Sequence, residues 1–367
     1  MSSSHNALIA RQLRSWKEEQ VETPAPGPGE VLVEVLYSTL IPFDIEIVEQ
    51  GQFDPEKWLP HIPGINLAGK VAKVGEGVLP DRLKAGDEVF GMVLPTYGRS
   101  AGGMQRFALL PHEALGKIPA NIHPADATTV PDNLITSWWT LTHYLGLPLE
   151  PRREKQSFAD ESFLVYGASS TTGQFLIQLL ALAGCTRVIA VASPHHYDYL
   201  RSLGATHTLS YRDADWVDQV VAVNGGQKVK YAIDIIATDS SLRGVGKTVG
   251  TDSKVAVLLP MKFGHDKIIS DGTTGQLVWS LDDDQKASLF TQGGHIDYVR
   301  TFLYNTDENL KKNLMTTIIP DLLLNGWVKP TKKELIEEPS SLWERATKAL
   351  HLLRTNAVSG QKIIIKV

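Results

Sequence analysis

One cysteine among 367 residues, Cys185, excludes an internal disulfide and a four-cysteine zinc site. Its setting, LALAGCTRV, reads as that of a small buried residue rather than a nucleophile. No apolar run is long enough to span a bilayer. The opening MSSSHNALIARQLRSWKEEQ lacks the basic stretch and apolar core of a secretory leader, so a cytoplasmic protein is expected. No block of like charge stands out, and a net charge of −5 points away from nucleic acid and anionic membrane surfaces. Repeats are absent as well, and the compositionally narrow stretch is the short turn segment TPAPGPGE at Thr23–Glu30.

The remaining composition, 43% hydrophobic and 21% charged, is that of an ordinary globular protein, and the length suits two domains. After the turn segment, VLVEVLYS reads as a strand, and GKVAKVGEGV, GDEVFGMVLP and GGMQRFALLP continue a series of short apolar runs broken by Gly and Pro. That spacing predicts a mostly β region. The texture changes after about Pro124. DNLITSWWTLTHYLGL reads as a long helix, and SFLVYG, RVIAVAS, HTLSYR, YAIDIIA and KVAVLLP are compact strands separated by helical lengths, the pattern of a parallel α/β sheet. YVRTFLY is a candidate sixth strand. LWERATKALHLLRTN predicts an amphipathic helix stopping near NAVSG, and the closing GQKIIIKV a strand that returns to the first domain.

VYGASSTTGQFLIQLLALAG runs from a strand through a tight turn into a helix. Such a turn offers unpaired N–H groups and the positive end of a helix dipole to a pyrophosphate. Gly167 supplies the turn and Gly173 the close helix packing, while Ser169, Ser170, Thr171 and Thr172 fill the space between and the middle glycine of the usual fingerprint is missing. The next strand ends at Ser193, followed by Pro194, His195 and His196, with no carboxylate until Asp198. A carboxylate there would hold a ribose 2′-OH and repel a 2′-phosphate. Without one, and with Arg201, Tyr211 and Arg212 within reach, NADP(H) is favoured over NAD(H). The other reading of the loop is a turn with polar filler and no phosphate.

In their order and spacing, PAPGPGEVLVEV, PGINLAGKVAKVG, LKAGDEVFGMV, YGASSTTGQFLIQLL and SGQKIIIKV resemble the medium-chain dehydrogenase/reductase superfamily over nearly the whole chain. The segment VASPHHYDYLRSLGATHTLSYRD is most similar to stand-alone, trans-acting enoyl reductases of fungal polyketide pathways. The resemblance implies an α/β protein, with a Rossmann-type parallel-sheet nucleotide domain (125–305) inserted into a mostly β, GroES-like catalytic domain (1–124 and 306–367). It implies an active site in the cleft, pyrophosphate on Ser170–Gly173, and a 2′-phosphate held by Ser193–His196 and Tyr211. It further implies Thr136, Pro42 and Phe43 beside the nicotinamide, backbone contacts from Leu258 and Leu259, and a C-terminal contact from Val358 and Ser359. A small-molecule substrate and a polyketide synthase are the implied partners. The chain itself is then a monomer, or a homodimer with YVRTFLY as a paired edge strand.

Zinc-binding members carry a Cys and a GHE motif. Here the corresponding stretches read YSTLIPFDIE, without Cys, and Gly64-Ile65-Asn66. His61 and His112 stand alone, as surface or cleft-lining residues. A zinc-free enzyme follows, for which an activated alkene is a more natural hydride acceptor than an unpolarised carbonyl. Related enoyl reductases carry an Asn-Pro-x-Asp-x-Lys segment. This chain has Ile41-Pro42-Phe43-Asp44-Ile45-Glu46, so the Asn and Lys are replaced by Ile41 and Glu46. Asp44 and Glu46 are the acid–base candidates, two apart and on one side of an extended stretch; the plainer expectation is a structural Asp44 and a solvated Glu46. Trp138 and Trp139 are candidate substrate walls, of which one faces the cleft and the other the core. The leading expectation is an NADPH-dependent reductase of an activated C=C (or C=N) bond in secondary metabolism. The alternatives are a non-reducing cyclase or isomerase on the same fold, and a nucleotide-binding protein without catalysis.

Overall fold

The computed structural model describes residues 3–51, 55–149, 156–264, 276–338 and 340–367. The chain divides into two units, one of Met1–Asp132 with Asn305–Val367 and one of Asn133–Lys267 with Thr274–Tyr304. The division falls after Asp132, beyond the change of texture at Pro124. The short helix Pro124–Ala127 packs on strands of the first unit, and Asn66 holds the carbonyl of Thr128 and the side chain of Asp132 there.

The first unit opens with an antiparallel hairpin, β1 (Ser4–Ala10) and β2 (Trp16–Glu22). Then come β3 (Glu30–Ser38), β4 (Asn66–Val74), β5 (Glu88–Met92), β6 (Phe107–Pro111) and β7 (Leu115–Lys117). Between β3 and β4 the stretch expected to be extended is a helix, α1 (Pro42–Val48). Pro42 pre-sets φ at the first helical position, and the Asp44 carboxylate accepts from the Ile41 N–H (2.9 Å), satisfying a group left over at the helix start. Asp44 and Glu46 therefore do not share a side, since residues two apart on a helix point roughly 200° apart.

In the second unit the central strands are largely buried apolar runs, as expected where helices cover both faces of a sheet. Helix α2 (Pro131–Trp139) leads in and widens into a single π-turn at Thr140–Tyr144, which closes at Gly146 with φ +68°. The strands are β8 (Ser162–Tyr166), β9 (Arg187–Val191), β10 (His207–Leu209), β11 (Val229–Asp234), β12 (Val249–Leu258), β13 (Met261–Phe263), β14 (Gln276–Val278) and β15 (His295–Val299). Six of them form a parallel sheet in the order β10-β9-β8-β11-β12-β15. The sixth strand ends at Val299, before most of YVRTFLY. The Arg300 N–H donates to the Tyr144 hydroxyl (2.9 Å), and Thr301–Thr306 coils into a 3-10 turn. Helix α3 (Thr171–Leu182) follows β8, α4 (Tyr197–Leu203) follows β9, and α5 (Asp239–Thr248) follows β11. Buried Leu164, Ile189, Val220, Val245, Val255 and Val257 are among the core of this unit.

The chain then re-enters the first unit. β16 (Lys333–Ile336) and β17 (Lys362–Lys366) flank α6 (Leu342–Arg354), whose start is capped by Ser341, with the Glu344 N–H donating to its hydroxyl (3.1 Å). β17 pairs with β3, so the closing strand completes a seven-stranded sheet, β16-β17-β3-β4-β5-β7 with β6 also on β3. Among the described residues, no helix is long and apolar enough to cross a membrane.

Candidate functional site

In the second unit the candidate phosphate loop has the backbone its glycines require. Gly167 sits at φ +81°, and its N–H and that of Ala168 both donate to the Val191 carbonyl (3.1 Å each). Ser170 caps α3 by accepting from the Gly173 N–H (3.1 Å). A Cβ on Gly173 would lie 2.6 Å from the Ala168 carbonyl oxygen, so only glycine lets the helix approach the loop this closely. Ser169, Ser170 and Thr171 are half-buried at the mouth of the turn. Thr172 instead points into the core: its hydroxyl accepts from Asn133 (3.0 Å) and its carbonyl from Ser137 (3.0 Å), fixing α3 against α2.

At the end of β9 the structure brings together Ser193 and Tyr211, whose hydroxyls lie 3.0 Å apart. The Arg212 guanidinium lies over the Tyr211 ring, 5.5 Å from its centroid. Pro194, His195 and His196 form the turn between β9 and α4, with the two imidazoles 3.9 Å apart. Arg201 does not join them. It pairs with Asp198 (3.2 Å), donates to Thr208 (2.7 Å) and lies over Tyr197, because α4 turns it away along its own exposed face.

Thr136, on α2, is buried, and its hydroxyl shares a hydrogen bond with that of Thr301 (2.9 Å). Nothing in the sequence pointed to Thr301, which lies just past β15. Leu258 closes β12 half-buried, and the Leu259 N–H donates to the Val299 carbonyl (3.4 Å). Trp138 and Trp139 are both buried at 3% exposure, so neither forms an open wall. The π-turn carries His143 over Trp139, stacked at 3.9 Å and 9°, with Tyr144 edge-on. The Trp139 indole N–H is buried and has no hydrogen-bond partner among the described residues.

In the first unit, Asp44 and Glu46 are both buried, at 3% and 4%, which corrects the expectation of a solvated Glu46. Asp44 also faces His61, its Oδ1 lying 3.3 Å from Nε2, so His61 is not an isolated histidine. Pro42 is exposed at the first position of α1. Phe43 meets Trp58 edge-on (5.6 Å) in an apolar cluster that Val358 also joins, while Ser359 is exposed.

The same unit holds a buried polar cluster that sequence reading missed. Asn66 donates to Asp132 (2.7 Å) and to the Thr128 carbonyl (3.0 Å) and accepts from the Asp132 N–H (3.1 Å). Lys362 of β17 forms an ion pair with Asp132, both nearly fully buried. Burial holds the Lys362 ammonium below the usual lysine range, with Asp132 pulling the other way and Asp44 adding to that pull. The GIN tripeptide was the available signal, since Asn66 stands where zinc enzymes have the Glu of GHE.

Zinc does not fit the residues at the corresponding positions. Ile41 and Ile65 offer no donor, Asn66 is engaged as described, and burial pushes the Cys185 thiol up to about 12, so it is no thiolate. Among the described residues no three His, Cys, Asp or Glu side chains converge as a metal site.

Two family models match the chain, an alcohol dehydrogenase GroES-like domain over residues 27–120 and a zinc-binding dehydrogenase domain over residues 171–277. Together they take in more than half of it. A trans-enoyl reductase of Aspergillus terreus is 32% identical over 54% of the chain, and the match spans 65% of that relative's length, just under two thirds. A trans-enoyl reductase of Aspergillus japonicus is 27% identical over 92% of the chain and 90% of the relative. The crystal structure of the CurK enoyl reductase superposes with a TM-score of 0.77 at 16% identity, covering 99% of both chains, which is a likeness of fold.

Proposed function

The chain belongs to the medium-chain dehydrogenase/reductase superfamily, and from that premise we propose a zinc-independent, NADPH-dependent reductase of an activated C=C bond, an enone or enoyl thioester of secondary metabolism. The family implies a nicotinamide dinucleotide. The observation that carries the choice of NADPH is the Ser193–Tyr211 hydroxyl pair with Arg212 beside it, at a strand end that lacks a carboxylate. Two hydroxyls and a guanidinium suit a 2′-phosphate, whereas a lone ribose hydroxyl asks for a carboxylate acceptor. The substrate class follows from the names of the relatives and from the poor fit to zinc.

When bound, the reduced nicotinamide supplies hydride. The chain's own part is to hold the pyrophosphate on the α3 N-terminus, to orient the ring beside the Thr136 hydroxyl, and to provide a proton for the carbon next to the carbonyl. Glu46 and Asp44 are the acid–base candidates, Asp44 already tied to the Ile41 N–H and His61. A polyketide synthase is the proposed source of substrate. The deciding experiment is turnover of NADPH, deuterated at the transferred position, against a panel of enones and enoyl thioesters. The expected result is stoichiometric NADPH consumption with deuterium at a newly saturated carbon. Binding of NADPH without consumption on any alkene sinks the reductase reading and favours a binding role.

A further inference from the structure

β8 and β11 are neighbours at the centre of the parallel sheet, and the strand order reverses direction between them. The carboxyl ends of strands at such a switch point are where open α/β sheets bind ligands. β8 ends at Tyr166 and runs into the phosphate loop. Its register partner at the end of β11 is Asp234, fully buried. Oδ1 of Asp234 accepts from the N–H groups of Ile236 (3.0 Å) and Ala237 (2.9 Å), and Oδ2 from the Ser241 hydroxyl (2.7 Å). These bonds fold the Ile235–Thr238 turn tightly enough to put Ala237 at φ +53°.

The turn lies against the phosphate loop. The Ile235 N–H donates to the Tyr166 carbonyl (3.1 Å), and Ile236 covers Gly167 so closely that a Cβ there would come within 2.8 Å of it. The Ser241 hydroxyl has a second acceptor in reach, the Thr238 carbonyl at 3.1 Å. If Asp234 gains a proton on Oδ2, that proton goes to the Ser241 oxygen and the serine proton turns to Thr238. Both protonation states are thus fully hydrogen-bonded with no heavy atom moving.

We propose that Asp234 is a proton-linked positioning residue: it holds the turn that backs the phosphate loop, and it takes up a proton when a dinucleotide's phosphates arrive beside that loop. This rests on the dinucleotide reading of the site. Negative charge brought to a low-dielectric site favours the neutral form of a buried carboxylate. Burial has already pushed the Asp234 carboxyl up to about 6, against its own hydrogen bonds and the Lys262 charge, so little more is needed near neutral pH. Among the described residues of adjoining elements, Lys262 on β13 is the charged group whose field reaches it. Asp239, in the first turn of α5, accepts from the Gly264 N–H (3.3 Å), Arg243 of α5 is exposed, and the phenol of Tyr166 comes from β8.

Titration calorimetry of the 367-residue chain with NADH at pH 7, in buffers of different ionisation enthalpy, counts protons taken up per ligand. NADH is used because it lacks the 2′-phosphate, which titrates in the same range. The native protein is expected to take up a few tenths of a proton more than Asp234→Asn. Asparagine keeps the oxygen for both backbone N–H groups. Should that variant fail to fold, Asp234→Ser, which keeps an oxygen acceptor but has no titratable group, is expected to lower the uptake likewise. Ile236→Ala, at a partly exposed side chain, is expected to raise the NADH dissociation constant about threefold or more at an unchanged melting temperature. Equal proton uptake in native and variant, or unchanged affinity in Ile236→Ala, overturns the inference. A native protein that binds neither NADH nor NADPH sinks the dinucleotide reading itself.

Discussion

The Gly167–Gly173 loop and the α1 segment handle polar groups in opposite ways. At Gly167–Gly173 the polarity is mostly backbone: N–H groups held by one carbonyl, one serine cap, and half-buried hydroxyls at the mouth. At Ile41–Glu46 and around Asn66 it is side chain, and it is buried: Asp44, Glu46, Asp132 and Lys362 are all below a tenth exposed. A backbone cradle tolerates many side chains provided the glycines stay, because the groups it offers belong to every residue. A buried side-chain cluster tolerates few, because losing one partner strands the charge of the other.

The strongest way to break the comparison is Gly173→Val. The branched side chain meets the Ala168 backbone head on, and dinucleotide affinity is expected to fall about 100-fold or more together with the melting temperature. Binding within threefold of native would mean that the loop is not the phosphate site. On the other side, Lys362→Met leaves Asp132 buried without its cation and is expected to destabilise the first unit by about 3–5 kcal/mol in urea unfolding. Changing Asp132 to Leu as well should recover much of that; a double variant as weak as the single one refutes the stranded-charge argument.

Glu46→Gln sharpens the functional half. If Glu46 handles the proton, kcat drops about tenfold or more while NADPH affinity stays at the native value. Unchanged turnover removes Glu46 from the chemistry and leaves Asp44 and His61. Thr136→Val and Thr301→Val test whether the hydroxyl pair acts as one. Each is expected to cost about threefold to tenfold in kcat/KM, and the double variant no more than the worse single one.

The smallest expected effects concern titration. The Asp234 carboxyl stands at about 6 in the folded chain against 3.8 for the free group, so between those values the folded chain holds the extra proton. Its contribution to stability is therefore full below about 4 and is lost as the pH rises through about 6. Native urea midpoints should gain on those of Asp234→Asn between pH 7.5 and pH 4.5, and parallel curves would contradict this. Cys185, pushed up to about 12, should alkylate at pH 8 only as fast as the second unit opens.

The alternation of compact apolar runs with helical lengths was legible because buried parallel strands seldom carry polar interruptions; it placed β8, β9 and β11 well, but only the second half of β12, whose first half carries exposed Thr251 and Asp252. The loop glycines were legible because the constraint on them is local. YVRTFLY misled because its hydrophobicity serves a 3-10 turn pinned by a distant tyrosine rather than a strand. IPFDIE misled because six residues are too few to show a helical period, and the decisive bond is one carboxylate reaching back to Ile41.

The mostly β and the α/β stretches, the return of the closing strand to the first unit, and the tight turn at Gly167–Gly173 could be read from the sequence, each being a matter of periodicity or of backbone conformations that few residues permit. It took the folded chain to show that Ser193 meets Tyr211, that the Thr136 and Thr301 hydroxyls are hydrogen-bonded, and that Lys362 is buried on Asp132 some 230 positions away. Such pairings depend on which strand ends lie side by side, and on how far burial lowers the local dielectric, and neither is written in any single stretch of chain.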